Sequence, residues 1–405
     1  MGFLALAFAP VAAAGAGVPA PGGEPLLAAA ETATATALGT LEQPGQVDLH
    51  GWAASLQVER VLTGDLAPGS KVRIAWEELS RGRPARFRDG DRILVALDPL
   101  PGASLWSQRF PNRDALAVAA GGDAFLRTPD AASVETLAAY LALAPEQRLA
   151  GPGVEALTDL LSRAQPPLAR AALARLAELP GLDSKISYAA RQQLAHAVAD
   201  PGRPTELRQG VLRLIGGRKL RSLRPAAELQ AQEGSPLRSE ALGALAALDG
   251  GMPADRVARL LESEDPAVRG VAVRNAPGTP SERRLARLLR EDPDPQVRAA
   301  AVEALLAAQG EAAVGPASAA LFDSDAGVRE AAVRGLASLG AAAVPTLENL
   351  VERRVGEEVG APLAALALAG PAGRAALERI AALHPDEQVR ALARAMTGRR
   401  ARPPH

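Results

Sequence analysis

The spacing of apolar side chains along the chain changes once, near residue 130. Before that point aliphatic and polar positions alternate, as in Leu56-Gln57-Val58-Glu59-Arg60-Val61-Leu62, and Thr63-Gly64-Asp65 ends the run. Alternation with a period of two places the apolar set on one face of a strand. A second strand is predicted at Lys71–Trp76 after the Pro68-Gly69 turn, and a third at Arg92–Leu97 after the turn Arg88-Asp89-Gly90-Asp91. Beyond the Asp130 to Ser133 cap region, Val134-Glu135-Thr136-Leu137-Ala138-Ala139-Tyr140-Leu141 takes helical spacing, and helices are predicted to the end of the chain.

The helical half repeats itself. Arg208, Arg238, Arg269, Arg298 and Arg329 each follow Leu or Val, at separations of 30, 31, 29 and 31 residues, and Arg390 lies 61 further on, two periods away. The missing member falls near Val359-Gly360, and Arg170, 38 residues before Arg208, begins the array with an insertion. Each unit has one apolar stripe on its second helix: Val297, Ala301, Leu305 and Ala308 in one, Val328, Ala332, Leu336 and Leu339 in the next, and Leu237, Ala241, Leu245 and Leu248 in an earlier one. A helix this short is marginal in water, and one hairpin cannot hide its own apolar faces, so the units must stack.

The motif Asp-x-x-Val-Arg-x-x-Ala-x-x-Ala-Leu is met in full by Asp294 to Leu305, and by Asp325 to Leu336 with Gly335 in place of the last Ala. It resembles the short HEAT-like repeat of the phycobilisome-lyase type, which implies an all-α, right-handed, armadillo-like solenoid over residues 133–398. In this frame Asp294 is the predicted N-cap and Pro295 the first helical residue, whose missing N–H leaves nothing unsatisfied. Asp265-Pro266 reads the same way, Asp325 and Asp386 are predicted to cap without proline, and Ser235-Pro236 is a variant. Arg269, Arg298, Arg329 and Arg390, one turn beyond the caps, are expected to bridge to the capping carboxylate of their own or a neighbouring repeat, forming a structural ladder. An anion-binding row of arginines is the other reading, weakened because an Asp accompanies nearly every Arg.

The stretch 31–128 holds Trp52, Trp76, Phe87, Trp106, Phe110 and Phe125 and reads as a small β-domain around one aromatic core, with a tryptophan stacking patch as the alternative. Val58–Asp65, Pro68–Ile74 and Phe87–Leu97 resemble the strand and turn motifs of the OB-like barrel in netrin-like modules of exported bacterial proteins. The resemblance implies a small antiparallel β-barrel. The inhibitory members of that family chelate metal through an N-terminal Cys, and this chain has none.

Composition narrows the function. Aromatic residues make up only 3% of the 405, so the core must be built largely from Leu, Val and Ala. The charge is balanced at 45 basic against 46 acidic residues, 42 of the basic ones Arg, which argues against a nucleic-acid or anionic-membrane binder. With no cysteine there are no disulfides, thiolate metal sites or thiol nucleophiles. No metal-ligand spacing links His50, His196, His384 and His405, and no His-Glu dipeptide of the kind used by the iron enzyme deoxyhypusine hydroxylase occurs. Asp323-Ser324-Asp325 imitates the start of a calcium loop but reads as cap chemistry, and Arg88–Asp91 reads as a hairpin turn. No catalytic residue, cofactor or metal site is predicted.

Residues 1–22 are apolar and end in small residues, as a signal peptide does, although no Lys or Arg precedes the apolar run. No other stretch is long and apolar enough to span a bilayer. Residues 399–405 are expected to be a disordered basic tail. Together these features predict an exported, periplasmic or secreted, non-catalytic scaffold that binds protein partners. The alternative is a repeat-family enzyme, resembling a bilin lyase or an oxidoreductase-like maturation factor.

Overall fold

The structure, a computed structural model, describes residues 24–47, 50–77, 87–101, 109–110, 112, 114–277, 280–354 and 356–398. The predicted leader over 1–22, Trp106 and the tail over 399–405 lie outside the described residues. Contacts divide the chain into two compact units, one up to Ala226 and one from Ala227.

The first unit begins with a short helix, α1 (Glu24–Ala30), followed by six strands: β1 (Ala35–Gln46), β2 (Gly51–Thr63), β3 (Lys71–Glu77), β4 (Arg92–Pro99), β5 (Ala115–Val118) and β6 (Phe125–Arg127). β1 pairs with β2 and also with β4, while β3 and β5 link the other ends, so five strands close into a ring and β6 joins β4. All pairings are antiparallel except β3 with β5, which is parallel. This five-stranded closure is an OB-like barrel, and it leaves no exposed edge within the ring.

Strand β1 escapes the alternation rule because Gly39 and Gln43-Pro44-Gly45 interrupt it. The barrel absorbs them as register shifts between Leu38 and Gly39 and between Glu42 and Gly45. A Cβ at Gly39 would lie 2.4 Å from the Gln57 carbonyl oxygen, so the bulge admits only glycine without a shift of the backbone. The barrel interior is filled by Leu41, Leu56, Val58, Ile74, Ile93, Val95 and Leu97 around an aromatic chain. Trp76 meets Phe87 edge-on at 4.9 Å, and Phe87 meets Phe125 at 4.6 Å.

Five main helices follow in this unit: α2 (Ala131–Leu141), α3 (Gly151–Arg163), α4 (Pro166–Glu178), α5 (Tyr188–Ala199) and α6 (Thr205–Gly217). Asp130 caps α2 by accepting from the Ser133 N–H at 2.7 Å. The last strand ends at Arg127 and α2 begins at Ala131, yet contact does not separate barrel from helices there. Glu31, just after α1, is one reason. Its carboxylate accepts from the Tyr140 hydroxyl at 2.5 Å and from Arg175 Nε and Nη2 at 3.1 and 3.0 Å. A charge-assisted fork of this kind is worth more than a neutral hydrogen bond.

The second unit contains α7 (Arg238–Asp249), then five helical hairpins. Their members are α8 (Ala254–Leu260) and α9 (Pro266–Arg274), α10 (Glu282–Glu291) and α11 (Pro295–Gln309), α12 (Val314–Ser318) and α13 (Ala326–Ser338), α14 (Val344–Arg353) and α15 (Gly360–Leu368), and α16 (Gly370–Leu383) and α17 (Glu387–Gly398). The second helices α9, α11, α13, α15 and α17 pack against one another in sequence. Their stripes, including Val297, Ala301, Leu305, Val328, Ala332 and Leu336, join one continuous core. α12 is short, and 3-10 turns at Gly310–Ala313 and Ala319–Phe322 carry the chain on either side.

Tyr140 is fully buried, and burial followed by its hydrogen bond to Glu31 pushes the phenol up to about 12. An unfolded chain ionises tyrosine near pH 10, so between about 10 and 12 the folded state holds the proton that the unfolded state has lost, and stability falls as pH rises. The urea midpoint of the first unit should therefore drop across that window, and Tyr140→Phe should flatten the drop.

Candidate functional site

The residues singled out by the repeat are concentrated at the turns between paired helices. At each of four turns the Asp accepts from the free N–H groups of the helix it precedes. Asp265 Oδ1 accepts from Ala267 N at 2.8 Å, and Asp294 Oδ1 from Gln296 N and Val297 N at 2.8 and 3.2 Å. Asp325 Oδ1 repeats this with Gly327 and Val328, and Asp386 Oδ1 accepts from Gln388 N at 2.7 Å. Ser235 differs from the expectation. The N-cap of α7 is Leu237, with no side-chain cap, and Ser235 Oγ accepts from the Leu237 N–H two residues on.

Each arginine turns back to its own loop. Arg269 Nη1 donates to the carbonyl oxygens of Ser263 and Glu264 at 2.8 and 2.9 Å, and Arg298 Nη1 to those of Asp292 and Pro293 at 2.9 and 3.4 Å. Arg329 Nη1 does so to Asp323 and Ser324, and Arg390 Nη1 to His384 and Pro385. These are carbonyls that the end of the first helix and its turn leave without helical partners.

The remaining face of the guanidinium makes the ladder, but not with the caps. Arg269 Nε and Nη2 each donate at 2.8 Å to the two oxygens of Asp292, and Arg298 Nε and Nη2 donate at 2.9 and 2.8 Å to Asp323. Both acceptors stand two residues before the next cap. Position alone explains the choice: the cap's oxygen already faces its own helix, whereas the residue two before it points back across the turn. Asp292 and Asp323 also accept from the N–H of Asp294 and Asp325 at 2.9 and 2.8 Å, so one carboxylate closes its own turn and ties the preceding repeat. Ser263 and His384 occupy the same place in their repeats and accept from Asp265 N and Asp386 N with Oγ and Nδ1.

The Arg269–Asp292 side chains are 11% and 2% exposed and the Arg298–Asp323 pair 13% and 13%, so these bridges are little screened by solvent. The hydrogen bonds they donate to Asp292 and Asp323 hold both guanidinium groups above their ordinary range, and Arg298 holds the Asp323 carboxyl below its own. The ladder stops at Arg329. Where the next acceptor would stand, the chain has Arg354, which lies over the Phe322 ring at 4.3 Å and pairs with Glu358 at 2.8 Å. Arg390 pairs instead with Glu387 on its own helix.

The other candidates are absorbed by structure. Asp89 accepts from Gln43 N at 2.6 Å and Asp91 from Arg88 N at 2.9 Å, closing the turn around Gly90. Asp323-Ser324-Asp325 is committed to the turn and ladder already described. Trp76 is a core residue, and Trp52 stacks on it from a half-buried position at 6.5 Å. Among the described residues no group of three or more His, Cys, Asp or Glu side chains is placed to hold a metal ion.

Residues 282–367, spanning α10 to α15, match the family model of HEAT repeats. Among solved structures, human deoxyhypusine hydroxylase in complex with glycerol is 22% identical, covering 62% of this chain and 96% of its own, with a TM-score of 0.29. Two engineered proteins are 19% and 20% identical, covering 65% and 60% of this chain and 83% and 95% of theirs, with TM-scores of 0.30 and 0.20. No curated protein matches the chain.

The two halves of the guanidinium's work are separable. Arg298→Ala removes both and leaves the Asp323 carboxylate without its strongest partner, so it should destabilise the second unit by about 3 kcal/mol. Arg329→Ala removes only the loop contacts and should cost about 1 kcal/mol. Because the depressed Asp323 stabilises the fold above the usual carboxylate range and loses that effect as pH falls, acid unfolding of Arg298→Ala should show a weaker pH dependence than that of the parent. Equal losses for Arg298→Ala and Arg329→Ala in urea titrations would contradict this division.

Proposed function

We propose that this chain, whose residues 282–367 are HEAT repeats and whose N-terminal half carries an OB-like barrel, is an exported, non-catalytic scaffold that binds protein partners. One observation carries the reading. The charged residues that recur through the repeats are turned inward, onto their own loops and onto the neighbouring repeat, and so serve the frame. A frame of this kind presents long helix faces without needing a single reactive residue. The aliphatic side chains Leu368 and Leu383, 62% and 79% exposed, end α15 and α16 and add apolar surface to the second unit. Export is supported by the apolar run ending near Ala20.

The test uses the full-length protein expressed in a bacterium with a periplasm. The expected result is that N-terminal sequencing of the periplasmic fraction finds a chain beginning close to residue 23, and that the purified protein shows no visible chromophore and no stoichiometric metal by elemental analysis. A coloured or metal-loaded protein would favour the enzyme alternative, and a chain retained in the cytoplasm with Met1 intact would remove export from the proposal.

A further inference from the structure

The ladder has a third arginine at its other end. Arg238 precedes Ser263 by the same 25 residues that separate Arg298 from Asp323, and Ser263 occupies the position held by Asp292 and Asp323 in the next two repeats. Serine keeps half of the aspartate's role. Its Oγ accepts from the Asp265 N–H and closes the turn, but it offers no carboxylate to the repeat before it. Arg238 Nε is consequently buried with no hydrogen-bond partner among the described residues, a costly state for a charged donor.

In the two complete rungs the Nε–Nη2 edge grips a carboxylate with bonds of 2.8 to 2.9 Å. Arg238 instead lines a cavity of about 700 Å³ with Glu233, Ser235, Arg259, Ser263, Glu264 and Asp265. That volume lies within the range of sites for small organic ligands and peptide side chains. The three carboxylates of the lining are already engaged or exposed. Asp265 is held by the Ala267 N–H, Glu264 is exposed, and Arg259 pairs with Asp255 at 2.9 Å. Among the described residues Glu233 makes the carboxylate contact to Arg238, at Nη2 and 3.4 Å, and its side chain is 89% exposed.

We infer that Arg238 and the cavity beside Ser263 form a binding site for a carboxylate group, which takes the place that Asp292 and Asp323 fill in the other rungs. Nε, closed to solvent in the free protein, opens as Glu233 gives way to solvent, and the ligand's two oxygens then meet Nε and Nη2. The site goes beyond the scaffold reading and does not rest on it, since neither export nor a protein partner enters the argument. The carboxylate can belong to a free small acid or to an acidic side chain of a polypeptide, and the two are told apart by the probes.

The experiment follows the Arg238 Nε–Hε signal in the full-length protein by NMR, identified by its loss in Arg238→Lys. The probes are glutarate, a peptide blocked at both ends with one Glu, and the same peptide with Gln. The signal should shift and saturate with glutarate or the Glu peptide and stay still with the Gln peptide. Tighter binding of the peptide assigns the site to polypeptides, and tighter binding of glutarate to small acids. Glu233→Gln should strengthen binding about threefold, as expected for removal of an exposed competitor. Ser263→Asp is the decisive variant, since it builds the rung internally: it should raise the melting temperature and abolish the titration. A signal unmoved by either acid, an equal response to the Gln peptide, or a titration that survives in Ser263→Asp would overturn the assignment.

Discussion

Between the two helices of a hairpin the chain has only a few residues in which to end one ladder of backbone hydrogen bonds and begin another, and the carbonyls at that turn have no helical partner. In the second unit one guanidinium gathers two of them at each of four turns, from the first turn of the following helix. Everything else in the repeat follows from that anchoring. It fixes the direction of the arginine, and the direction decides that the other edge of the group points at the next repeat. Stacking and turn closure thus share one side chain.

Distance is the second condition. The stripes that face each other carry Ala272, Ala301 and Ala332 at their centres, all fully buried, and small residues allow helix axes to approach closely. At Gly335 the approach is closer still, since an added Cβ would lie 2.4 Å from Leu306 Cδ1. An arginine of fixed length reaches the neighbouring turn only because these contacts are short. The low aromatic content of the sequence and the ladder are therefore two sides of one geometry, in which bulk at the interface would pull each guanidinium away from its carboxylate.

Much of this could be read from the residues, and the parts that could not are instructive. The caps Asp265, Asp294, Asp325 and Asp386 follow from the Asp-x-x-Val-Arg spacing, because a cap acts within its own turn. The ladder's acceptors did not follow, because the spacing was anchored on the cap; the signal was present in Asp292-Pro293-Asp294 and Asp323-Ser324-Asp325, where a second Asp stands two residues earlier. In the barrel, β2, β3 and β4 alternate clearly. β1 is obscured by its glycines and proline, β5 and β6 are too short to show a period, and the parallel β3–β5 pairing is a matter of topology that alternation cannot express. Glu31 meets Tyr140 and Arg175 across more than a hundred residues, with no local pattern to announce it.

The span of these contacts along the chain also sets an order of assembly. The Glu31–Arg175 fork joins residues 144 apart, and β1 finds β4 across about sixty residues, whereas each rung of the ladder spans 23 or 25. Distant pairings must meet a larger loop-closure entropy before they gain anything. During synthesis, then, the segment that emerges first has to wait: β1 stays unpaired on its second side until β4 has left the ribosome, and Glu31 until Arg175 has. The later repeats need only the hairpin before them, so they can order one by one as they appear.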